Sequence, residues 1–180
     1  MCSMDCRMCY VRMSEDDVKN SGKRLRTVDE WLAIAEELKE KGMLLLLLTG
    51  GEPFTYPGFR ELYMKLREMG FVISINSNAT LIDDEIVAWL KENPPQRINI
   101  TLYGASDETY LRLCRHPRGH TVVTRAIEAL QDAGINVKLN CSVTPENIDD
   151  LEEIIRYSDE RKLILQATSY MFPPVRRDKT

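Results

Sequence analysis

Two hydrophobic patterns alternate along this chain. Continuous apolar runs, such as Met43 to Leu48, are typical of buried strands, whereas apolar residues three or four positions apart are typical of amphipathic helices. The first helix is marked by Thr27-Val-Asp-Glu30, which has the spacing of a capping box. The patterns predict helices at about 28–41, 58–69, 84–92, 106–114, 121–133 and 148–158, and strands at 43–49, 71–76, 97–102, 135–143 and 163–168.

The regular alternation of strand and helix predicts βαβ units, and therefore an α/β fold with a parallel sheet. Five such strands form either an open doubly wound sheet or part of a barrel, and their spacing favours neither. The strand at 43–49 is expected to be covered on both faces, because its apolar run is continuous. Both folds place ligands at the carboxyl ends of the strands. Functional residues are therefore expected just after Thr49, Asn76, Tyr103, Val143 and Thr168.

The composition limits the possible functions. The chain has 180 residues and a formal net charge of −4, which fits one globular domain without a basic surface for nucleic acid. The longest apolar run falls far short of the ~20 residues that span a bilayer, so no membrane association is predicted. No secretory signal pattern is visible, which favours a cytoplasmic, reducing compartment. There, clustered cysteines are more often metal ligands or catalytic thiols than disulfides.

Three cysteines near the start of the chain have the spacing C-x3-C-x2-C. Cys2, Cys6 and Cys9 lie close enough in sequence for their thiols to converge on one metal centre. A [4Fe-4S] cluster held by three thiolates leaves one iron without a protein ligand. Such an open position can take an exogenous ligand, as catalytic zinc sites do. The alternative is zinc with a distant fourth ligand such as His116, although the unequal gaps do not match paired C-x2-C knuckles.

A second motif, Leu48-Thr-Gly-Gly-Glu-Pro53, follows about forty residues after the cysteines. Together with the cysteine motif and the Tyr10 that follows it, this motif resembles the radical S-adenosylmethionine (radical SAM) superfamily, and the resemblance extends to about Pro174. It implies a partial TIM-like (β/α)6 barrel of parallel strands, in which the five predicted strands are the second to sixth. The first strand, expected before Cys2, is missing. Residues 1–180 are therefore expected to be a radical SAM core domain that is incomplete at its N-terminus.

The resemblance implies an enzyme with two cofactors. A [4Fe-4S] cluster would be held by Cys2, Cys6 and Cys9, and its open iron would chelate S-adenosylmethionine (SAM). One electron, from a reductant such as flavodoxin or ferredoxin, would cleave SAM reductively. The resulting 5'-deoxyadenosyl radical would abstract a hydrogen atom from the substrate. The protein itself would orient the reactants and exclude water.

The resemblance also implies contacts to SAM. In similar proteins the backbone at Gly50-Gly51 receives the methionine ammonium, and glycine allows that close approach. Asn140 and Ser142 are alternate residues of one predicted strand and so share a face, where relatives line the adenosine site. A plain strand-to-helix turn at the glycines is the alternative interpretation. The expected cofactor-binding residues are Met8, Tyr10, Gly50, Gly51, Glu52, Pro53, Asn78, Thr101, Arg118, Asn140 and Ser142.

Some of these positions depart from the family pattern. Asn78 belongs to a segment similar to the family's TNG-type segment, but Ala79 replaces the usual glycine, and Asn78 is equally suited to an Asx turn. Tyr103 replaces a common acidic residue. Arg115, Arg118 and Arg125 lie where relatives supply an arginine for the methionine carboxylate, a group with which a guanidinium pairs well, and Arg118 is the preferred one of the three.

Other features leave the substrate open. The segment from Tyr170 to Pro174 is similar to members that continue into a SPASM-type domain, many of which modify peptides. Peptides are therefore a candidate substrate class, but the sequence identifies neither substrate nor reaction, and it contains no auxiliary-cluster motif. Cys114 and Cys141 are expected to be inert buried thiols. The competing hypothesis is a non-catalytic Fe-S or zinc-binding module. An exposed sheet edge is expected to make the chain prone to association.

Overall fold

The computed structural model describes residues 1–9, 22 and 24–170. Its five strands are parallel and are hydrogen-bonded in the order in which they occur along the chain. Each crossover therefore moves to the next strand in the same direction, whereas a doubly wound sheet changes direction and has a different order. The strands are β1 (Leu45–Leu48), β2 (Val72–Ser77), β3 (Arg97–Thr101), β4 (Val137–Ser142) and β5 (Ile164–Thr168).

Helices connect the strands in the predicted alternation, and their ends differ from the predicted ones by a few residues. The first helix begins with the expected capping box, because Thr27 and Glu30 each bond to the other's backbone N–H. The last predicted helix begins with a separate 3₁₀ turn (Ile148–Asp150). The helices are α1 (Val28–Glu40), α2 (Phe59–Glu68), α3 (Asp84–Glu92), α4 (Asp107–Cys114), α5 (Gly119–Asp132) and α6 (Leu151–Glu160).

The two faces of the sheet differ in chemistry. On one face, alternate apolar residues of β2, β3 and β4 join buried helix residues in the core; Ile75, Ile100 and Leu139 are completely buried there. On the other face, the same strands carry polar side chains. We call this second surface the polar strand face; it comprises Asn76, Asn99, Thr101, Asn140 and Ser142.

The expectation that the first strand is covered on both faces is wrong. Leu45 is 67% exposed and Leu47 is 51% exposed. In the described part of the chain, β1 pairs only with β2 and is therefore an edge strand, as β5 is at the opposite side. The sheet is thus a partial barrel that is not closed. None of the helices in the described ranges is long and apolar enough to cross a membrane.

Candidate functional site

The first nine residues, which we call the cysteine segment, lie against the carboxyl ends of β1 and β2. The backbone N–H of Glu52 donates a hydrogen bond of 3.0 Å to the carbonyl oxygen of Met1. The Thr55 hydroxyl donates to the same oxygen at 3.3 Å. The turn that follows β1, Gly50-Gly51-Glu52-Pro53, is therefore joined directly to the cysteine segment. We call it the GGEP turn.

The two glycines of the GGEP turn have different surroundings. A Cβ atom at Gly51 would lie 2.1 Å from the Met1 carbonyl oxygen and 3.0 Å from the Cys2 Cβ. A Cβ atom at Gly50 would meet no heavy atom within 4 Å. Gly51 is therefore required for the close approach of the cysteine segment, whereas Gly50 borders open space.

Glu52 is a buried carboxylate, only 2% exposed. It accepts hydrogen bonds from the Ser77 hydroxyl at 2.8 Å, from the Asn78 backbone N–H at 2.7 Å and from the Phe54 backbone N–H at 3.3 Å. Burial raises the pKa of Glu52, and the three donors oppose this shift. The side chain thus fixes the GGEP turn of β1 to the segment that follows β2. Its neighbour Pro53 is buried at the start of a 3₁₀ turn.

Asn78 joins the end of β2 to the cysteine segment. Its side-chain oxygen accepts from the Thr80 backbone N–H at 3.0 Å, which is the expected Asx turn. Its side-chain nitrogen donates to the Ser3 hydroxyl at 3.0 Å and lies 3.5 Å from the Cys2 sulfur. Ala79 has a φ of 61°, a conformation that favours glycine, as expected where relatives carry one.

The far end of the cysteine segment is joined to α4. The Asp5 backbone N–H donates to the Cys114 carbonyl at 3.1 Å, and the Arg7 backbone N–H donates to the Leu113 carbonyl at 2.9 Å. The Arg115 side chain lies 3.3 Å from the Asp5 carboxylate. The segment therefore spans the carboxyl edge of the sheet, from the GGEP turn to the C-terminus of α4.

The three predicted metal-ligating thiols face different surroundings. Cys2 is exposed beside Asn78, Cys9 is half-buried, and Cys6 is only 9% exposed. The neighbouring Cys114 thiol and burial raise the pKa of Cys6. No group of three or more Cys, His, Asp or Glu side chains within the described ranges is close enough to hold a metal ion. The donor set fits an iron-sulfur cluster, since none of the three thiols is in a disulfide and all share one short segment, but Cys6, whose neighbour is Cys114, must turn to join the others.

The polar strand face contains three of the predicted SAM contacts. Thr101 and Asn140 are paired in register, so their side chains share this face. The Asn140 side-chain oxygen is buried and has no hydrogen-bond partner in the described residues. Asn99 also has an unpartnered side-chain oxygen, while its nitrogen donates to Asn76 at 2.7 Å. Ser142 lies one alternate position beyond Asn140 and is half-buried. The face therefore offers unused hydrogen-bond acceptors.

The other residues that were predicted to contact SAM belong neither to the polar strand face nor to the GGEP turn. Arg118 is the N-cap of α5, where its carbonyl accepts a hydrogen bond from the Val122 N–H at 3.0 Å, and its side chain has no hydrogen bond or ion pair within the described residues. Of the three arginines considered, Arg115 is the one that contacts the cysteine segment, whereas Arg125 pairs with Asp84 at 3.2 Å. Met8 packs partly buried against the core. Tyr10 lies outside the described residues, as do residues 171–174 of the segment that resembles SPASM-type members.

Sequence reasoning missed one buried residue at this edge of the sheet. Asn147 accepts from the Thr144 backbone N–H at 2.7 Å and donates to the carbonyls of Tyr103 and Ser142 at 2.8 and 3.0 Å. Its partners lie at the ends of two strands, so no local motif reveals them. The Tyr103 hydroxyl lies near the thiols of Cys6 and Cys114, and burial raises its pKa well above the usual range.

Solved structures share this fold. SuiB of Streptococcus suis, bound to the precursor peptide SuiA, has a TM-score of 0.77 at 19% identity, over 92% of this chain and 36% of that one. The protein anSMEcpe, with bound AdoMet, has a TM-score of 0.74 at 20% identity, over 93% of this chain and 48% of that one. At such identities the likeness shows the fold alone, and it confirms the predicted partial barrel.

Curated relatives are similar to this chain in sequence. An AdoMet-dependent heme synthase of Methanosarcina barkeri is 25% identical over 99% of this chain and 50% of its own length. A GTP 3',8-cyclase of Clostridium perfringens is 25% identical over 94% of this chain and 52% of its own length. The chain thus spans about half the length of these relatives, which are enzymes. Since the family model of the Radical SAM superfamily matches residues 1–158, the chain belongs to that superfamily.

Proposed function

We propose that this chain is the core of a radical SAM enzyme, in which Cys2, Cys6 and Cys9 hold a [4Fe-4S] cluster and the GGEP turn binds SAM. One observation carries the proposal: the cysteine segment is hydrogen-bonded to the GGEP turn through the Met1 carbonyl and the Glu52 N–H, 3.0 Å apart. Two motifs that are distant in sequence therefore form one site at the carboxyl edge of the sheet, where parallel α/β folds bind ligands.

The GGEP turn and the residues around it have distinct roles in this proposal. Gly50 borders open space, so its backbone is accessible to the ammonium group of the cofactor. Glu52 is held by its donors from Ser77 and Asn78, and it places a negative charge close to that group. Asn78 orients the Cys2 side of the segment. Pro53 begins the 3₁₀ turn that fixes the geometry behind Glu52.

The polar strand face supplies the rest of the proposed cofactor site. Thr101, Asn140 and Ser142 line the adenosine part, and the unpartnered Asn140 oxygen accepts a hydrogen bond from it. Arg118 pairs with the methionine carboxylate, and Arg115, which contacts Asp5, is the second candidate for that role. Met8 and Tyr10, on either side of the last cysteine, pack near the adenine.

The proposed chemistry is that of the radical SAM superfamily. When bound and reduced, the cluster supplies the electron that cleaves SAM. The chain's own residues orient the cofactor, exclude water and hold the substrate within reach of the adenosyl carbon. A flavodoxin or ferredoxin is the proposed source of the electron, and a peptide is the candidate substrate, as SuiB was solved with its precursor peptide.

Anaerobic reconstitution tests the proposal. The chain is incubated with Fe²⁺ and sulfide, reduced with dithionite and supplied with SAM, and 5'-deoxyadenosine is measured. We expect about four irons per chain and formation of 5'-deoxyadenosine. Cys2→Ala, Cys6→Ala and Cys9→Ala should each abolish both. Cys141→Ala is the matched control, because Cys141 is a buried thiol of β4 outside the segment.

The rival function, a non-catalytic Fe-S or zinc-binding module, uses the same three cysteines, so the position of Cys6 near Cys114 bears equally on both functions. Metal analysis and isothermal titration with SAM separate the two functions. Tight zinc binding without SAM binding would establish the module and overturn the enzyme. Iron-dependent SAM binding would establish the enzyme.

A further inference from the structure

Two buried cysteines lie where the cysteine segment meets the C-terminus of α4. Cys6 is 9% exposed, and Cys114, the last residue of α4, is completely buried. The neighbouring Cys114 thiol raises the pKa of the Cys6 thiol. The sulfur of Met4 lies 4.0 Å from that of Cys6 on another side. Cys6 is therefore enclosed by sulfur atoms.

Backbone contacts hold the two cysteines side by side. The residues on either side of Cys6 are both anchored to the end of α4: Asp5 donates to the Cys114 carbonyl at 3.1 Å, and Arg7 donates to the Leu113 carbonyl at 2.9 Å. A disulfide needs its two Cα atoms within about 7 Å and its Cβ atoms directed towards each other. The paired backbone bonds place Cys6 beside Cys114, which is the arrangement that such a bond requires.

The other described thiols have different partners. Cys2 faces the Asn78 side-chain nitrogen at 3.5 Å. Cys141 is buried in β4, where burial raises the pKa of its thiol to about 11, with Asp150 as the neighbouring charge. The pairing of Cys6 with Cys114 thus joins one proposed cluster ligand to a thiol outside the cysteine motif.

We propose that Cys6 and Cys114 form a reversible disulfide when the chain carries no cluster and meets a low-molecular-weight disulfide such as oxidised glutathione. When the cysteine segment separates from α4, the Cys6 thiol is exposed to solvent and ionises, and this thiolate attacks the reagent's S–S bond and releases one glutathione thiol. The second cysteine attacks the mixed disulfide and releases the other glutathione thiol. In total the two cysteines lose two electrons and two protons. Oxidised glutathione takes up these electrons and protons and becomes two molecules of reduced glutathione.

The disulfide would act as a switch on metal loading. Oxidised Cys6 has no thiolate to give to iron, so the chain with this bond closed takes up no cluster; this consequence rests on the proposed function. Reduction restores the ligand. The bond also closes a long loop of the chain, which reduces the freedom of the unfolded state and stabilises the fold.

Disulfide mapping tests the pairing independently of any cluster. The metal-free chain is treated anaerobically with excess oxidised glutathione, remaining thiols are alkylated, and the protein is digested without reduction for mass spectrometry. We expect a peptide linking Cys6 to Cys114 to predominate, to disappear after dithiothreitol, and to accompany a higher midpoint of thermal unfolding. Predominant pairs among Cys2, Cys6 and Cys9, or full alkylation of Cys114, would overturn the proposal.

Matched variants complete the test. Cys141→Ser removes a buried thiol elsewhere and should leave the Cys6–Cys114 peptide unchanged. Cys114→Ser should abolish it, and Cys114→Ala replaces that variant if circular dichroism shows that the serine form does not fold. Iron uptake is then compared between oxidised and reduced wild-type chain. If the linked peptide forms but the reduced chain takes up no iron, the disulfide stands and the proposed enzyme function fails.

Discussion

The Met1 carbonyl oxygen accepts a 3.0 Å hydrogen bond from the backbone N–H of Glu52, and this bond joins the two sequence motifs of the superfamily. Gly51, the residue before Glu52, has no room for a side chain, since its Cβ would lie 2.1 Å from the Met1 carbonyl oxygen. The position of the cysteine segment therefore depends on a glycine that is not itself a metal ligand.

Gly51→Ala is expected to displace the cysteine segment while the barrel stays folded. Forcing a methyl group into such a contact costs roughly 1–3 kcal/mol, so hydrogen exchange at the Glu52 amide should accelerate by about 5- to 150-fold. Gly50→Ala is the control, because nothing lies within 4 Å of its Cβ. Equal exchange at Glu52 in both variants would contradict the model of a docked segment.

Glu52→Gln is expected to change the pH dependence of stability. The pKa of Glu52 is raised above its ordinary value of 4.5, mainly by burial. The folded state therefore binds the proton more tightly than the unfolded state, and the stability from this proton is present in acid and lost as pH rises through the raised pKa.

Glutamine has no carboxyl group to titrate, so the variant protein does not lose this stability as the pH rises. The free energy of unfolding of Glu52→Gln, relative to that of the wild type, should rise from pH 4 towards neutrality when both are measured by urea unfolding. Loss of the acceptor for the Phe54 N–H adds an offset that does not depend on pH. A difference that stays constant with pH would show that the carboxyl pKa is not raised.

Asn147→Ala is expected to destabilise the whole fold. It leaves the carbonyls of Tyr103 and Ser142 and the Thr144 N–H without this partner. Each buried group left unpaired costs roughly 1–3 kcal/mol, so the midpoint of thermal unfolding should fall by several degrees. Asn136→Ala removes one hydrogen bond of an exposed asparagine and should change stability by less than about 0.5 kcal/mol.

Leu47→Lys is expected to reduce self-association. Leu47 lies in the edge strand β1 and is 51% exposed, and a charge there opposes pairing between sheet edges. Size-exclusion chromatography should show a larger monomer fraction for this variant. Leu111→Lys is matched in exposure, at 53%, but lies on α4, and it should behave as the wild type does. A wild-type chain that is already a single monomer would show that the edge does not cause association.

Sequence reasoning predicted the elements of the fold well, because the alternation of apolar runs and helical periods is local. It was wrong about β1, since a continuous apolar run such as Leu45–Leu48 shows that both faces are apolar and not that both are covered. It favoured a barrel over a doubly wound sheet only through the family resemblance. The observed strand order settles that choice in physical terms.

For the site, the motifs predicted which residues belong together but not how they touch. The GGEP turn and the cysteines were identified by their spacing, yet the bond from Glu52 to Met1 is visible only in the folded chain. Cys114 was expected to be an inert buried thiol, and its contact with Cys6 depends on how α4 approaches the sheet. Asn147 was missed because its partners lie on separate strands.

The sequential order of the strands also bears on how the molecule assembles. Each strand pairs with the strand next to it along the chain, so the loops that strand pairing closes are among the shortest that a parallel sheet allows. The cysteine segment is different, because its partners are as distant as Asn78 and Cys114. Closing such long loops carries an entropic cost that the neighbouring strands do not pay. We therefore expect the barrel to form first and the cysteine segment to dock last, so that metal can be inserted into a folded chain.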